Sequence, residues 1–213
     1  QVLISLLFII ISISNGWITE EILITNKIIN LQLLIIPLSL FVLLAESNST
    51  NLTDGLDGLL SGCSVLIFTG LAIHLVQDNE NVHTTIARLC ISMAGTCIGF
   101  LFLNKNPAKI FMGDSGSLAI GACLGGIALI SNSLWTLLIM GGIFAAESIS
   151  VICQVSIFKF TKKIKGEGYR LFLMTPIHHH FELKGLNEEK VVRNFWLVTL
   201  CLVILNLISS IKS

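Results

Sequence analysis

The stretch Phe111–Ser117, with the sequence FMGDSGS, is a short polar and glycine-rich interval between two long apolar runs. The apolar run before it covers Ile86–Leu103, and the run after it covers Ser117–Ile130. Asp114, in the middle of the interval, is one of only 13 acidic residues in the chain. Long apolar runs with few charges are typical of membrane-spanning helices. The alternation therefore predicts spans that are joined by short polar segments.

The composition of the whole chain agrees with a membrane protein. Of its 213 residues, 54% are hydrophobic and 12% are charged, and the mean hydropathy is +0.86. A soluble domain usually has about 25% charged residues, so an ordinary soluble fold is excluded. The six cysteines all lie within apolar runs and form no CxxC pair, which favours small buried side chains over a metal site or a disulfide framework.

Seven apolar runs predict an all-α, polytopic membrane helical bundle in a single domain, residues 1–213. The first run ends near Ile13, too short for a complete span, so we expect it to be the end of a span that begins upstream of Gln1. Residues 15–30 read as a loop that could include a surface helix. The six later spans are expected at Leu31–Ala45, Leu59–Val76, Ile86–Leu103, Ser117–Ile130, Leu134–Phe158 and Val191–Ile211, with a short polar loop at 78–85 and a long hydrophilic segment at 159–190.

The basic residues predict the orientation. If the spans alternate, the loops after the second, fourth and sixth spans share one side of the membrane. That side carries ten of the 13 Lys and Arg residues, whereas the other side carries only Lys27, Arg88 and Lys212. Cytoplasmic loops are enriched in Lys and Arg, so these three loops are expected to be cytoplasmic.

The first of the three loops contains NLTDGLDG at residues 51–58. Asp54 and Asp57 are three residues apart, and a helical turn would place both carboxylates on one face. Oxygen ligands of this kind suit Mg²⁺, which binds through one or two carboxylates plus substrate phosphates. A plain helix-capping loop at the membrane surface explains the same residues equally well.

The second loop ends in Gly113–Ser117, where the fifth span begins. A helix N-terminus offers free N–H groups and a positive dipole end to an anion. Asp114 could therefore cap the helix, or it could hold Mg²⁺ against a phosphate bound at the same helix end. Asn104 and Phe111 precede it and provide an amide and a ring that could recognise a base, although an ordinary structural role is common for such residues.

The third loop contains PIHHHFE at residues 176–182. Three successive histidines cannot share one helix face, so a zinc site of the HExxH kind is not indicated. Imidazoles can instead bond phosphate or sugar oxygens, which points to a functional role for His178, His179 and His180.

Two patterns inside the spans are also notable. Glu147 is a carboxylate within an apolar run, which suggests a function or a polar contact with a neighbouring helix, since charge in a membrane is costly. The pairs Gly95–Gly99 and Gly121–Gly125 fit the spacing that allows membrane helices to approach closely.

Three motifs together resemble a known family: NLTDGLDGL at 51–59, NPAKIFMGDSGSL at 106–118 and MTPIHHHFELKG at 174–185. They are similar to the phospho-N-acetylmuramoyl-pentapeptide-transferase (MraY) family of the polyprenyl-phosphate N-acetylhexosamine-1-phosphate transferase superfamily. The first two motifs are shared in form across the superfamily, and PIHHHFE is more specific to the muramoyl-pentapeptide branch. The resemblance implies a ten-span fold, of which this chain has about seven spans.

The resemblance implies a reaction at a bacterial inner membrane. Phospho-MurNAc-pentapeptide would move from UDP-MurNAc-pentapeptide to undecaprenyl phosphate, giving lipid I and UMP with Mg²⁺ as cofactor, in peptidoglycan biosynthesis. The expected partners are both substrates and the bilayer, with a homodimer left open and no nucleic acid.

The resemblance also implies roles for individual residues. Asp114 corresponds to a catalytic, metal-binding aspartate, and Asp54 to an essential acidic residue. The residues that fall where the family binds uridine are Gly55, Leu56, Asp57, Asn104 and Phe111. Those that fall where it binds the diphosphate and the sugar-peptide portion are His178, His179 and His180, with His178 also counted as catalytic. Asn51, beside Asp54, is a further expected substrate-binding residue.

One departure from the family pattern affects activity. Family members carry an adjacent Asp-Asp pair in an earlier cytoplasmic loop, and no such pair occurs in this sequence. We therefore expect the 213-residue chain by itself to be inactive; lipid I synthesis by the isolated chain would contradict this. DNA upstream of the Gln1 codon is expected to encode further spans and the Asp-Asp loop.

Three other functions fit parts of the sequence. A sister enzyme that transfers GlcNAc-1-phosphate to a polyprenyl phosphate would share the first two motifs. A transporter or channel would use charged residues in the middle of several spans, but only Glu147 meets that condition. A non-catalytic membrane remnant would keep the motifs without activity.

Overall fold

The computed structural model describes residues 1–24, 27–77 and 81–211. Within these ranges the chain is a helical bundle with one small antiparallel sheet. A single turn of 3₁₀ helix, Gln32–Leu34, precedes the second helix. The elements are α1 (Val2–Ser14), β1 (Glu21–Ile24), β2 (Lys27–Asn30), α2 (Ile35–Thr53), α3 (Leu59–Gln77), α4 (Asn81–Asn104), α5 (Gly113–Ile130), α6 (Leu134–Met140), α7 (Gly142–Lys165), α8 (Ile177–Leu183) and α9 (Glu188–Ile211).

The bundle is a polytopic membrane protein. Six helices are long and apolar enough to cross a membrane, and the shorter apolar helix α1 accompanies them. Large apolar side chains face outward; for example, Leu3 is 82% exposed and Phe102 is 69% exposed. A water-soluble protein would not leave so much apolar surface uncovered. The predicted polytopic membrane helical bundle is confirmed, and its described residues are nearly all α-helical.

Helix α3 is the centre of the larger core, where it packs against α4 and α9. Its buried side chains include Phe68 and Leu71, both with no exposed surface. Helix α2 packs against α5 and α7, and a second apolar cluster joins α1, the sheet and α2 through Ile9, Ile22 and Leu43. Chain order places the end of α2 next to the beginning of α3 and the end of α4 next to the beginning of α5. The beginning of α9 lies at the same end, because α9 packs against α3 and Glu188 accepts from the Asp57 N–H.

Residues 21–30 differ from the sequence prediction. The loop or surface helix expected there is wrong, because the structure has a β-hairpin with Ile22 paired to Ile29. Ile22 is 4% exposed and Leu23 is 43% exposed, which is the alternation that a strand produces. Asn132, between α5 and α6, fixes the hairpin: its Oδ1 accepts from the Leu23 N–H, and its Nδ2 donates to the Glu21 carbonyl.

Several helix boundaries also differ from the predicted spans. Helix α2 continues past Ala45 to Thr53. The Ser and Thr hydroxyls of its last turns are accommodated by bonds to carbonyls of the preceding turn; Ser49 Oγ donates to the Ala45 carbonyl at 2.6 Å, and Thr53 Oγ1 to the Ser49 carbonyl at 2.7 Å. Residues 81–85 are helical rather than a loop, while 78–80 and Lys212 lie outside the described residues.

The sixth predicted span consists of two helices with a break at Gly141. Helix α7 continues beyond Phe158 to Lys165. Ser148 Oγ donates to Ser49 Oγ of α2 at 2.7 Å, so Glu147 lies level with the last turns of α2 and not in the middle of the bundle. The 18 residues of α7 after Glu147 correspond to about 27 Å of helix.

The two glycine pairs have different surroundings. A Cβ added to Gly121 would collide with the Glu46 carbonyl and Thr50 Oγ1 of α2, so the close approach predicted there is confirmed. Nothing within the described residues lies within 4 Å of a Cβ added to Gly95 or Gly99, so that pair marks no helix contact in this part of the chain.

We expect Gly121→Ala to destabilise the bundle by about 1–3 kcal/mol, because α2 and α5 would have to separate. Gly95→Ala is the matched control, since the same methyl group enters open space and should change stability by less than about 1 kcal/mol. Denaturant unfolding of both variants in the same detergent measures the difference. Equal stability of the two variants would contradict the close contact.

Candidate functional site

Asn51, in the last turn of α2, connects α2 to the beginning of α5. Its Nδ2 donates to Asp114 Oδ1 at 2.9 Å and to Ser117 Oγ at 3.0 Å. One residue earlier, Thr50 Oγ1 donates to the Ser117 carbonyl at 2.8 Å. The first two polar stretches of the sequence therefore meet in space, and Asn51 fixes the direction of the Asp114 carboxylate.

Asp114 lies in the first turn of α5, which begins at Gly113, four residues earlier than the predicted span. The residue at the helix N-cap is Met112, and no side chain caps the helix, so Asp114 does not have the capping role. The Asp114 side chain is exposed. It is an accessible carboxylate beside the positive end of a helix dipole.

Asp54 follows α2 directly and lies close to Asp114. Burial raises the pKa of the Asp54 carboxyl from 3.8 to about 6; a hydrogen bond from the Gly113 N–H lowers it, and the charge of Asp114 raises it. Two neighbouring carboxylates form a place where a cation is stabilised.

The raised pKa of Asp54 predicts a pH-dependent stability in metal-free buffer. Between pH 4 and 6 the unfolded chain has lost the Asp54 proton while the folded chain keeps it, so rising pH favours unfolding over this interval. Asp54→Asn removes this dependence. The free energy of unfolding of Asp54→Asn, minus that of the unmodified chain, should therefore increase from pH 4 to pH 6 and stay constant above pH 6.

Thermal unfolding at several pH values, with a chelator present, measures this effect. Asp114→Asn is the control, and it should keep most of the dependence because burial, not the charge of Asp114, is the largest cause of the shift. A stability difference between Asp54→Asn and the unmodified chain that stays constant from pH 4 to 7 would contradict the raised pKa.

The segment 54–58 is a turn between α2 and α3, and the predicted helical turn with Asp54 and Asp57 on one face is wrong. The two carboxylates point to different partners: Asp54 to the Gly113 N–H and Asp57 Oδ2 to the Ala108 N–H, the latter at 2.8 Å. The glycines in the turn break the helix. The two carboxylates then accept from backbone N–H groups of residues 108 and 113, in the loop after α4 and at the beginning of α5.

Glu188, at the beginning of α9, is a site residue that the sequence prediction missed. Its Oε1 accepts from the Asp57 N–H at 2.8 Å, and its Oε2 accepts from Asn106 Nδ2 at 3.0 Å. One carboxylate thus joins three segments that are far apart in sequence. An acidic residue in the first turn of a helix is ordinary, so the sequence carried no signal that separates Glu188 from its neighbour Glu189.

Asn104, predicted at the uridine site, is 5% exposed. Its Oδ1 accepts from the Gly58 N–H at 3.1 Å and from Ser61 Oγ at 3.0 Å, and its Nδ2 donates to the Ile110 carbonyl at 3.0 Å. The amide is therefore used to connect the α2–α3 turn with the α4–α5 loop. A contact with a base stays a prediction.

The other predicted uridine residues have different exposures. Leu56 is 9% exposed and its side chain belongs to the apolar core, whereas Phe111 is 76% exposed in the α4–α5 loop. Gly55 is exposed in the α2–α3 turn. Phe111 is therefore free to stack on a ring, and Leu56 can reach a ligand only through its backbone. The uridine assignment itself stays a prediction.

The three histidines occupy the short helix α8, and each ring has its own partner. His178 Nδ1 lies 3.0 Å from Glu147 Oε1 of α7, and His179 Nδ1 lies 2.7 Å from Glu182 Oε2. His180 Nδ1 accepts from the Leu173 N–H at 3.2 Å. A Cβ added to Gly55 would collide with His178 Nε2, so α8 lies against the α2–α3 turn. All three polar stretches therefore meet at one end of the bundle.

The loop before α8 is attached to α7 by Gln154, which the sequence prediction also missed. Its Oε1 accepts from the N–H groups of Leu171 and Phe172, each at 2.9 Å. A groove of about 320 Å³ lies here, lined in part by Lys159 and Arg170. The groove places two cations beside the loop that leads to the histidines.

The donor atoms at the site fit Mg²⁺ better than a softer metal. No group of three or more His, Cys, Asp or Glu side chains in residues 1–24, 27–77 and 81–211 is arranged to hold a metal ion. Asp114 and Asp54 are two carboxylates without a thiolate or imidazole in the same cluster. Mg²⁺ commonly binds through one or two carboxylates and completes its shell with water and substrate phosphates.

The sequence comparisons identify the family. The glycosyl transferase family 4 profile matches residues 1–132, a range that includes Asp54 and Asp114. The chain belongs to this family of membrane transferases. Among similar proteins is the phospho-N-acetylmuramoyl-pentapeptide-transferase of Prochlorococcus marinus (strain NATL2A), which is 71% identical over 213 residues, covering 100% of this chain and 57% of that protein.

Two further relatives have the same name. The protein of Synechococcus sp. (strain CC9605) is 56% identical over 94% of this chain and 58% of its own length. That of Prochlorococcus marinus (strain MIT 9313) is 54% identical over 96% of this chain and 55% of its own length. This chain thus spans between 55% and 58% of the length of these three relatives.

Proposed function

We propose that this chain carries the cytoplasmic-face active site of a phospho-N-acetylmuramoyl-pentapeptide-transferase. The reaction transfers phospho-MurNAc-pentapeptide from UDP-MurNAc-pentapeptide to undecaprenyl phosphate and yields lipid I and UMP. The observation that carries the proposal is the junction of α2 and α5, where Asp54 and Asp114 lie together at a helix N-terminus. The name that the relatives share and the histidine helix beside this junction favour the muramoyl-pentapeptide substrate over a simpler UDP-sugar.

Phosphoryl transfer requires little covalent chemistry from a protein, mainly positioning and neutralisation of charge. Asp114 is held in direction by Asn51, and the N–H groups at the beginning of α5 face the same space. The diphosphate of a nucleotide sugar would lie against this helix end, while His179 and His180, both half-buried, would contact the sugar side.

Asp114 and Asp54 would hold Mg²⁺, which neutralises charge on the diphosphate when it is bound. The Asp54 carboxyl, whose pKa is about 6 in the metal-free site because of burial, would have to lose its proton to act as a ligand. The positive-inside distribution of Lys and Arg supports a cytoplasmic position for all of these residues. An acceptor phosphate on a membrane lipid lies at that same depth.

A hybrid protein tests the proposed function. This chain replaces its matching portion of the Prochlorococcus marinus NATL2A relative, and the purified hybrid is supplied with UDP-MurNAc-pentapeptide, undecaprenyl phosphate and Mg²⁺. We expect release of UMP and formation of lipid I that a chelator stops. UDP-GlcNAc is the matched competing substrate; turnover of UDP-GlcNAc but not of UDP-MurNAc-pentapeptide would overturn the substrate assignment, and turnover of neither would overturn the proposed function.

A further inference from the structure

Glu147 and His178 form a pair that is completely buried at the edge of the site. Both side chains have 0% exposed surface, and Glu147 Oε1 lies 3.0 Å from His178 Nδ1. Glu147 Oε2 also accepts from the Ile177 N–H at 2.7 Å. The carboxylate of one α7 residue therefore holds the first turn of α8 at two points.

The position of Glu147 is itself fixed by α2. The next residue, Ser148, donates to Ser49 of α2 at 2.7 Å, and Ser150 Oγ donates to the Glu147 carbonyl at 2.6 Å. Because α2 ends at the Asp54 turn only four residues after Ser49, Glu147 connects α8 to the same helix that carries Asn51.

The protonation of the His178 ring follows from its surroundings. A carboxylate oxygen can only accept, so the proton belongs on Nδ1, which faces Glu147. Nε2 is buried and has no hydrogen-bond partner in the described part of the chain, and it lies against Gly55. A buried N–H without an acceptor is rarer than a buried acceptor without a donor, so Nε2 carries the lone pair.

We propose that Glu147 is a positioning residue of the site, which fixes His178 as its Nδ1–H tautomer and thereby holds α8 against the α2–α3 turn. Gly55 completes the arrangement because no other residue type leaves room for Nε2. Its backbone has no positive φ, so the ring, not the backbone conformation, is what requires glycine here. The consequence for activity rests on the proposed function, whereas the tautomer does not.

Nitrogen NMR of the 213-residue chain, labelled with ¹⁵N-histidine in a bilayer and assigned with His178→Gln, reads the tautomer directly. We expect a protonated Nδ1 and a bare Nε2 at His178. In Glu147→Gln the amide oxygen stays with the Ile177 N–H and the amide NH₂ faces Nδ1, so the ring proton should move to Nε2. Glu182→Gln is the matched control, since Glu182 contacts His179 and should leave the His178 signals unchanged.

Kinetics of the hybrid protein test whether Glu147 acts through His178. Glu147→Gln should lower kcat by about 10- to 100-fold, the usual effect of removing the partner that orients a functional histidine. The double variant with His178→Gln should be no slower than His178→Gln alone, because both changes remove the same oriented ring. Helical content by circular dichroism verifies that each variant is folded.

Three results would overturn the proposal: a protonated Nε2 in the unmodified chain, unchanged His178 signals in Glu147→Gln, or additive kinetic effects in the double variant. The first two are independent of turnover, and the first is measured on the unmodified chain. An inactive hybrid with the expected NMR signals would instead reject the proposed function and leave the tautomer established.

Discussion

Asp114→Asn in the hybrid protein is expected to lower Mg²⁺-dependent turnover by about 1,000-fold. An amide oxygen can still accept the hydrogen bond from Asn51, so the junction of α2 and α5 should persist. What is lost is a negative charge beside a bound cation, which is worth several kcal/mol in the transition state. Release of UMP measured over a range of Mg²⁺ concentrations should show the loss at every concentration.

Glu20→Gln is the matched control for Asp114→Asn. Glu20 is also an exposed carboxylate, but it precedes the β-hairpin at the other end of the bundle. Its removal should change turnover by no more than about twofold, as expected for a surface substitution. If Asp114→Asn keeps full turnover, Asp114 is not a ligand of the catalytic cation.

Glu188→Ala is expected to raise KM for UDP-MurNAc-pentapeptide by about 10- to 100-fold with little change in kcat. The substitution removes the acceptor of the Asp57 N–H and of Asn106 Nδ2, and hydrogen bonds to a charged group are worth about 1.5–3 kcal/mol each. The α2–α3 turn would then lose its connection to α9. A change confined to KM is the sign that ground-state and transition-state binding weaken equally.

Glu189→Ala provides the control, because the adjacent Glu189 is exposed and carries the same charge at the same helix end. It separates the loss of two specific hydrogen bonds from the loss of charge near the α9 dipole. A similar KM for the two variants, or a fall in kcat for Glu188→Ala, would contradict a role of Glu188 in holding the turn.

The bundle was predictable because each span is a long apolar run, and the grouping of the polar stretches followed from alternation of the spans. The contacts within the site were not predictable to the same degree. Glu188 and Glu189 are chemically identical, and only the tertiary fold decides which one meets the Asp57 N–H. The spacing of Asp54 and Asp57 suggested a shared face on a helical turn, whereas in the structure each carboxylate accepts from a different backbone N–H.

The hairpin at 21–30 and the depth of Glu147 were missed for related reasons. Alternating Ile and Leu in a short segment fit either a strand or a loop, and the Asn132 contacts that fix the hairpin come from residues more than 100 positions away. Glu147 looked like a charge in the middle of a span because the break at Gly141 carries no strong sequence signal. Packing against α2, not hydropathy, determines its depth.

The attachment of Asp57 has a consequence for which nucleotide base the site can accept. Oδ2 is already bonded to the Ala108 N–H, and Oδ1 has no hydrogen-bond partner among the residues that the structure describes. One oxygen that can only accept is therefore left to face a ligand. Uracil presents a donor at ring position N3, whereas cytosine presents a lone pair there. If a pyrimidine binds with N3 facing Asp57, two opposed lone pairs would disfavour cytidine nucleotides. A preference for uridine would then depend on a carboxylate whose other oxygen connects the α2–α3 turn to the α4–α5 loop.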